Sequence, residues 1–236
     1  MTLAAFAVIS SAVLAAAFVQ GTTGVGFALI VAPVVGLLSP DLLPLCLLVL
    51  MLPLNLYVAW RERGAIDRSG AQWITGGRFL GTFVGLWVLV ALSGGYLNTA
   101  VGVVTVCAAV LSLVVPSFNP DRKAFVAAGI VTGITETATG IGGPPLALVY
   151  QHQAPATVRS TIALCFLVGE LVSIGFLVVA GHAIGSQFTA ALLFIPALCL
   201  GAFLSRLSHR RVNARALRTF VLLFATVSGV VLLVRG

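Results

Sequence analysis

Residues 137–145 read TATGIGGPP, and they interrupt a chain that is otherwise suited to helices. Glycine weakens a helix and proline lacks the backbone donor that a helix needs, so a helix is expected to end here. The chain is 60% hydrophobic and 8% charged, whereas a soluble domain carries roughly a quarter charged residues. This composition indicates an integral membrane protein, and the lack of alternating polar and apolar residues favours helices. The stretch therefore predicts a helix break within a membrane-embedded, all-helical fold.

A second break of the same kind occurs 116 residues earlier, where GTTGVG spans residues 21–26 and its TGVG corresponds to TGIG at 139–142. We predict a single transmembrane domain, residues 1–236, made of two repeats, residues 1–120 and 121–236. Each repeat is expected to be a broken helix pair followed by three transmembrane helices. The stretches that begin at Gly81 and Gly201 also align, and identical residues meet at Gly81 and Gly201, Phe83 and Phe203, Leu97 and Leu217, and Thr99 and Thr219.

The segments beside each break are mostly shorter than the roughly 20 residues that a crossing needs. We therefore expect re-entrant hairpins, so that each half crosses the membrane three times and the two halves are inverted. The joints 93–98 and 181–187 and both termini then share one side. The other side is cytoplasmic by the positive-inside rule, which leaves both termini outside the cell membrane. This cytoplasmic side receives eleven of the thirteen basic residues: Arg61, Arg63, Arg68, Arg122, Lys123, Arg159, Arg206, Arg210, Arg211, Arg215 and Arg218.

Non-helical backbone within a membrane must be buried in protein or line a cavity. Inverted hairpins would bring their breaks together near the midplane, and the second helix of each pair, beginning near Gly24 or Gly142, would point its free N–H groups at an anion. The alternative is that the glycines only allow close helix packing. If an anion binds, the substrate-binding residues at the breaks are Thr22, Thr23, Gly24, Gly26, Thr137, Thr139, Gly140, Gly142 and Gly143.

Two of the six carboxylates, Glu136 and Glu170, lie in or beside apolar segments rather than in polar joints. A carboxylate in the hydrocarbon region is costly and commonly marks a substrate path or a proton relay, so both are candidates for proton coupling. The alternative is a neutral acid hydrogen-bonded to a backbone carbonyl. Asn55 lies near the place in the first half that Glu170 occupies in the second, which makes it a further candidate for substrate binding.

Three more residues are candidates for contact with an anion or with its vestibule: Gln20, Arg78 and His152. For Arg78 the sequence allows binding of the anion, pairing with a glutamate, or extension toward the headgroups. His152 ends the second broken pair, where a vestibule lining and a solvated helix end are equally compatible with the sequence.

These features resemble the sulfite exporter TauE/SafE family, also called the toluene sulfonate uptake permeases. The resemblance rests on the duplicated halves, the short basic joints and the two breaks, GTTGVGFALIVAP and TGIGGPPLALVY. It implies secondary transport of small, often sulfur-containing anions such as sulfite, thiosulfate or sulfonates, without a cofactor. The chain departs from the family pattern in being short and in having GFAL after the first break, where many members have another glycine. The first half of the site is therefore expected to be tighter or more apolar.

A passive anion channel and a permease for small carboxylates remain alternatives, because the same features would serve them. An enzyme would need a nucleophile with its base, or a metal cluster. Three scattered histidines and single cysteines offer neither, so no catalytic or metal-binding residue is predicted. The net charge of +7 fits anionic lipid better than nucleic acid. The expected partners are a small anion and membrane lipid, for a monomer or homodimer.

Overall fold

The computed structural model describes residues 2–91, 96–115, 118–182, 185–208 and 214–235, and within these ranges every regular element is helical. Short 3₁₀ turns at Pro40–Leu42 and Arg63–Ala65 flank the third helix. The helix bounds follow the apolar segments of the sequence, which confirms the all-helical fold. The α-helices in these ranges are α1 Leu3–Thr23, α2 Phe27–Leu38, α3 Leu45–Arg61, α4 Arg68–Ala91, α5 Leu97–Val114, α6 Arg122–Thr139, α7 Gly143–Tyr150, α8 Pro155–Val179, α9 Gly185–Ser208 and α10 Ala214–Arg235.

Five of the described helices, α1, α4, α5, α8 and α9, are long and apolar enough to cross a membrane. α2, α3 and the Thr219–Val234 part of α10 are apolar but shorter. Large apolar side chains such as Trp87 and Val179 are exposed on the bundle, while Arg78 and Glu136 are buried inside it. A bundle that exposes apolar surface and buries charge is suited to lipid rather than water. The chain is a helical membrane protein.

The first break separates α1 from α2. Gly24 adopts the left-handed conformation (φ 88°) after the last residue of α1, and its N–H donates to the carbonyl of Gln20 at 2.8 Å. Glycine in this conformation is a common helix terminator, because an L side chain is disfavoured there. α2 begins at Phe27, three residues later than expected, since Gly24 closes the first helix and Gly26 precedes the second.

The second break repeats this geometry between α6 and α7. Gly140 has a φ of 81°, and its N–H donates to the carbonyl of Glu136 at 2.7 Å. α7 begins at Gly143, next to the expected Gly142, with proline in its first turn. Proline suits this position, because the first N–H groups of a helix have no intrahelical acceptor.

Glycines bring α4 and α6 into backbone contact. Gly77 faces the carbonyl of Val126, and Gly81 faces the carbonyl of Ile130. A Cβ at either glycine would collide with the facing oxygen, so only glycine permits this approach. Because residue numbers rise together along the contact, α4 and α6 run parallel.

The packing of α1 against α9 has the same character. A Cβ on Gly201 would collide with the carbonyl of Leu14, and a Cβ on Gly21 would collide with the side chain of Ser205. The other extensive helix contacts include α3 with α8 and α5 with α10. Each of these four pairs joins a helix of residues 1–120 to a helix of residues 121–236.

One end of the bundle, called the Asp67 end, holds the start of α4 and both ends of the second broken pair. The guanidinium of Arg122, at the start of α6, lies 5.4 Å from the ring centroid of Trp73. The hydroxyl of Tyr150, at the end of α7, donates to the carboxylate of Asp67 at 2.9 Å. The start of α6 and the end of α7 therefore both lie near the start of α4.

The opposite end, called the Gln187 end, holds the start of α9 and the end of the first broken pair. Gln187 Nε2 donates to the carbonyl of Asp41, just after α2, at 2.6 Å. Phe6, near the start of α1, stacks on Phe194 of α9 with ring centroids 5.4 Å apart. Outside the described residues lie parts of the joints 93–98 and 181–187 and the whole of Arg210 and Arg211.

Candidate functional site

The two helix breaks are in contact. Val25 lies against Gly143, the first residue of α7, so that a Cβ built on Gly143 would be 3.6 Å from the Cβ of Val25. Next to this contact is a cavity of about 350 Å³ that reaches the exposed connection between α7 and α8. A cavity of this volume suits a small ligand. Its lining includes Thr22, Thr23, Gly26, Pro144, Gln151 and Gln153.

The breaks overlap along the bundle rather than meeting tip to tip. Gly24 packs on the backbone of Arg159, in the second turn of α8, while Gly140 packs on Leu47, in the first turn of α3. α8 begins at the Asp67 end and α3 begins at the Gln187 end. Each break therefore lies beyond the middle of the bundle, as measured from the end at which its first helix begins. The first break is reached from the Asp67 end, where the cavity opens.

Several polar groups at the breaks form hydrogen bonds with other groups of the same break. The Thr23 hydroxyl donates to the carbonyl four residues earlier at 3.0 Å and accepts from the N–H two residues later at 3.4 Å. Thr139 repeats both contacts, at 2.7 and 3.4 Å. The first N–H of α2, from Phe27, donates to Gln20 Oε1 at 3.2 Å. A side chain of the protein therefore takes the acceptor place at the start of α2 that a helix N-terminus offers to an anion.

A buried row of polar side chains crosses the bundle. Gln20 Nε2 donates to Asn55 Oδ1 at 3.0 Å, and Asn55 Nδ2 donates to Glu170 Oε1 at 2.8 Å. The row runs from α1 through α3 to α8, and all three side chains are buried. The sequence placed Asn55 and Glu170 in corresponding regions of the two halves, and the structure brings them into direct contact.

Arg78 and Glu136 form a buried ion pair in the same part of the bundle. Arg78 is 1% exposed and Glu136 is fully buried, and Arg78 Nη2 donates to Glu136 Oε2. Arg78 Nη1 donates to the carbonyl of Cys165 at 3.1 Å, and the guanidinium lies 5.3 Å from the ring centroid of Phe166. Of the three expectations for Arg78, the structure shows pairing with a glutamate and not extension toward the headgroups.

Gly169 makes room for the guanidinium, because a Cβ at this position would overlap Nε of Arg78. The arginine thus lies against the backbone of α8, next to the residue that carries the second carboxylate. Among the described residues, three buried atoms of this group lack a hydrogen-bond partner: Arg78 Nε, Glu136 Oε1 and Glu170 Oε2. Leaving a buried polar atom unsatisfied costs about 1–3 kcal/mol. We call Arg78, Glu136 and Glu170 the charged cluster; its unsatisfied atoms suit a proton or a small polar ligand.

The remaining candidates lie around the breaks and outside the charged cluster. Gly142 is adjacent to it, since a Cβ there would lie 2.6 Å from Glu136 Oε2. His152 is exposed on the connection after α7, so it lies at the protein surface. The hydroxyl of Thr22 donates to the carbonyl of Phe18 at 2.8 Å, and the hydroxyl of Thr137 shares a hydrogen bond with Ser173 at 2.9 Å.

The sequence did not predict two arginine contacts at the end of α1. Arg159 donates through Nε and Nη2 to Glu62 at 3.0 Å and through Nη1 to the carbonyl of Thr22 at 3.4 Å. Arg61 donates to the carbonyl of Gly21 at 3.2 Å. These arginines hold the end of α1 in place, yet both counted only among the many basic residues of one side. The adjacent opposite charges of RER at 61–63 were the available signal.

The structure has three features of a membrane transport protein: apolar helices of spanning length, paired helix breaks, and ionisable side chains enclosed within the bundle. The chain belongs to the sulfite exporter TauE/SafE family. The family model described as "Sulfite exporter TauE/SafE" matches residues 9–232, which confirms the resemblance seen in the sequence. The family consists of transporters rather than enzymes. No curated protein and no solved structure matches the chain.

Proposed function

We propose that the chain is a secondary transporter of small anions and that sulfur-containing anions such as sulfite, thiosulfate or sulfonates are its substrates. The description of the family supports sulfur anions. The observation that carries the proposal is the contact of two helix breaks near a buried cluster of one arginine and two carboxylates. Broken helices let backbone donors and glycine surfaces approach a ligand, and Arg78 supplies a positive charge within the bundle.

The proposal includes an inverted repeat of residues 1–120 and 121–236. Two helix contacts support it. Gly81 faces the carbonyl of Ile130, and Gly201 faces the carbonyl of Leu14. Gly81 and Gly201 are 120 residues apart, as in the alignment of the two halves. Leu14 and Ile130 are 116 residues apart, which is also the separation of the two breaks. Two contacts related by the same offsets as the sequence repeat favour a twofold relationship between the halves.

Both broken pairs are proposed to be re-entrant from opposite sides. The return of α6–α7 to the Asp67 end and the arrival of α2 at the Gln187 end support this topology. α1 has 21 residues, about 30 Å, and reaches the level of Arg159 before the chain turns back. Because Arg61, Arg63, Arg68, Arg122 and Arg159 gather at the Asp67 end, that end is placed in the cytoplasm and both termini outside the cell membrane.

The anion is proposed to bind between the breaks and to engage Arg78. This guanidinium is oriented by the carbonyl of Cys165 and the ring of Phe166, and its Nε has a free hydrogen. The start of α7, adjacent to Glu136, adds the backbone N–H of Gly143 and the positive end of the helix dipole, which favours negative charge, whereas Pro144 and Pro145 have no N–H to donate. In the structure the guanidinium of Arg78 is paired with Glu136, so the substrate and Glu136 would compete for it.

Proton coupling follows from the charges of this cluster. One arginine and two ionised carboxylates carry a net charge of −1, and an entering anion makes it more negative in a buried site, where charge is screened less than in bulk water. Protonation of Glu136 removes one negative charge and releases Arg78 for the anion, while Glu170 is the alternative proton acceptor. Anion binding and protonation therefore assist each other, and linkage makes the assistance reciprocal. Proton and anion are proposed to move together.

The test is uptake of radiolabelled sulfite, thiosulfate and a sulfonate into proteoliposomes that contain the purified protein. We expect saturable uptake that increases with an acid-outside pH gradient and with unlabelled substrate trapped inside. A passive channel would show neither saturation nor this exchange effect. Uptake of small carboxylates without uptake of any sulfur anion would contradict the proposed substrate.

A matched pair of glycine variants locates the site. Gly142→Val places side-chain atoms against Glu136 and is expected to abolish uptake in protein that still elutes as a folded species. Gly175→Val, on α8, enters open space and is expected to retain uptake. Equal uptake by both variants would mean that the second break serves packing alone.

A further inference from the structure

A crevice opens between α4 and α8 at the Asp67 end, on the outside of the bundle and apart from the helix breaks. Its volume is about 760 Å³. The turn after α3 contributes Arg63, the start of α4 contributes Arg68 and Thr75, and α8 contributes Leu164 and Val168. Three elements thus form a pocket of the size that binds organic ligands.

The mouth of the crevice is positively charged. Arg63 and Arg68 take part in none of the ion pairs found among the described residues, whereas neighbouring Arg61 and Arg159 share Glu62. The guanidinium of Arg63 lies 5.8 Å from the ring centroid of Trp60, which is 66% exposed. Exposed tryptophan beside arginine is typical of the level of lipid headgroups.

Away from the arginines, the α8 wall of the crevice is apolar. Leu164 and Val168 lie one turn apart on α8, while the lining residues of α4 are the apolar Ala71 and the polar Gln72 and Thr75. Both helices begin at the Asp67 end, so these walls extend from the basic mouth toward the middle of the bundle. A small hydrophilic anion would gain nothing from such walls, whereas an acyl chain would bury apolar surface against them.

We infer that this crevice binds one anionic phospholipid, with its phosphate at Arg63 and Arg68 and an acyl chain against Leu164 and Val168. Basic pockets between transmembrane helices on the cytoplasmic side commonly hold anionic headgroups. The site is independent of the proposed transport path, since none of its lining residues belongs to the breaks or to the charged cluster.

Trp60 provides a local reporter of occupancy. In a Trp73→Phe, Trp87→Phe background it is the sole tryptophan, and its fluorescence is quenched by lipid with brominated acyl chains. In mixed bilayers we expect brominated phosphatidylglycerol to be preferred over brominated phosphatidylcholine. Each arginine contributes about fivefold to this preference, which corresponds to about 1 kcal/mol per basic residue. Arg63→Gln or Arg68→Gln should therefore lower the preference about fivefold, and the double variant should remove it.

Two control variants separate this site from general surface charge and from altered folding. Arg122→Gln removes a positive charge at the same end of the bundle and should leave the preference unchanged. Thr75→Phe fills the crevice without changing charge and should abolish the preference, whereas Gly76→Phe enters open space on the adjacent face of α4 and should not.

Three results would overturn the inference. Equal quenching by the two lipids in the unsubstituted background would show that no anionic lipid is selected. An equal loss with Arg122→Gln would assign the preference to bulk charge. Loss of the preference on addition of inorganic phosphate, but not of sodium chloride at equal ionic strength, would show that the arginines bind a free anion rather than a lipid.

Discussion

Gln20 and Glu136 occupy matching positions in the two helix breaks. Each precedes a left-handed glycine by four residues, and the backbone carbonyl of each accepts the N–H of that glycine, at 2.8 and 2.7 Å. Their side chains differ in charge: Gln20 caps the start of α2 and bonds to Asn55, whereas Glu136 pairs with Arg78. One break is therefore held by neutral hydrogen bonds and the other by an ion pair.

The first prediction concerns pH. Protonation of Glu136 frees Arg78 for the anion, so affinity for substrate should rise as pH falls, beyond the effect of the substrate's own titration. Glu136→Gln imitates the protonated acid and should bind with affinity that follows pH only through the substrate's own titration. Affinity in detergent between about pH 5 and pH 8 spans the range in which a buried carboxylate titrates. Asp121→Asn, which alters an exposed helix cap, is the control; if the Glu136 variant keeps the whole pH dependence, Glu170 becomes the coupled group.

The second prediction tests the space around Arg78. Gly169→Ala places a methyl group where Arg78 Nε lies, so the guanidinium must move and the ion pair with Glu136 must change. We expect a loss of at least tenfold in substrate affinity and a lower unfolding temperature. Gly175→Ala lies on the same helix in open space and should have no such effect, because alanine is the better helix former. Equal behaviour of the two variants would contradict the observed position of Arg78.

The third prediction concerns the energy of the buried ion pair. Arg78→Met leaves Glu136 unpaired and should destabilise the protein by about 3–5 kcal/mol, whereas Arg78→Met with Glu136→Gln should recover most of this loss. The same cycle on Arg159 and Glu62, which are partly exposed, should give a coupling of about 1 kcal/mol or less. Unfolding in detergent measured for all variants gives both couplings, and a coupling near zero for the Arg78 pair would show that the pair does not form.

The fourth prediction separates backbone strain from packing at the first break. Gly24→Ala incurs the cost of a left-handed alanine, about 1–2 kcal/mol, and also a clash with the backbone of Arg159. Gly181→Ala has a similar φ of 72° but meets nothing within 4 Å. Gly24→Ala should therefore destabilise the protein more than Gly181→Ala in thermal unfolding. Equal losses would mean that α1 and α8 are farther apart than the structure shows.

The fifth prediction concerns topology. Cysteines at Ser39 and Ser186, toward the Gln187 end, should react with a membrane-impermeant maleimide in intact cells. Cysteines at Ala65 and Gln153, at the Asp67 end, should react only after permeabilisation. The unsubstituted protein is the control, because it gives the background labelling of its own four cysteines. Reaction of Ala65→Cys and Gln153→Cys from opposite sides would exclude a re-entrant α6–α7 pair.

The helix pattern was predictable from the sequence because it depends on local properties. Apolar length and the clustering of glycine and proline placed α6, the second break and α7 to within a few residues. At the first break, Gly24 and Gly26 are both able to end or begin a helix. Only their φ angles show that Gly24 ends α1 and that α2 starts at Phe27.

The charged cluster was predictable only in part. Apolar surroundings marked Glu136 and Glu170, because charge is rare in such segments. The partner of Glu136 could not be chosen, since a membrane helix is apolar on most faces and its hydrophobic pattern does not show which side points inward. Arg78 turns inward because Gly169 leaves space for it, and that depends on the rotation of α8 about its axis.

The glycine contacts also have a mechanical consequence. Where Gly81 meets the backbone of Ile130 and Gly201 meets that of Leu14, no flexible side chain lies between the helices to rearrange. α4 with α6 and α1 with α9 should each move as a rigid body, so a shear between these units is the motion that alternating access would use. The hydrogen bond from Asn55 to Glu170 crosses the α3–α8 contact between them. Because α3 also packs on α9 and α8 also packs on α4, a shear between the two units would strain this hydrogen bond.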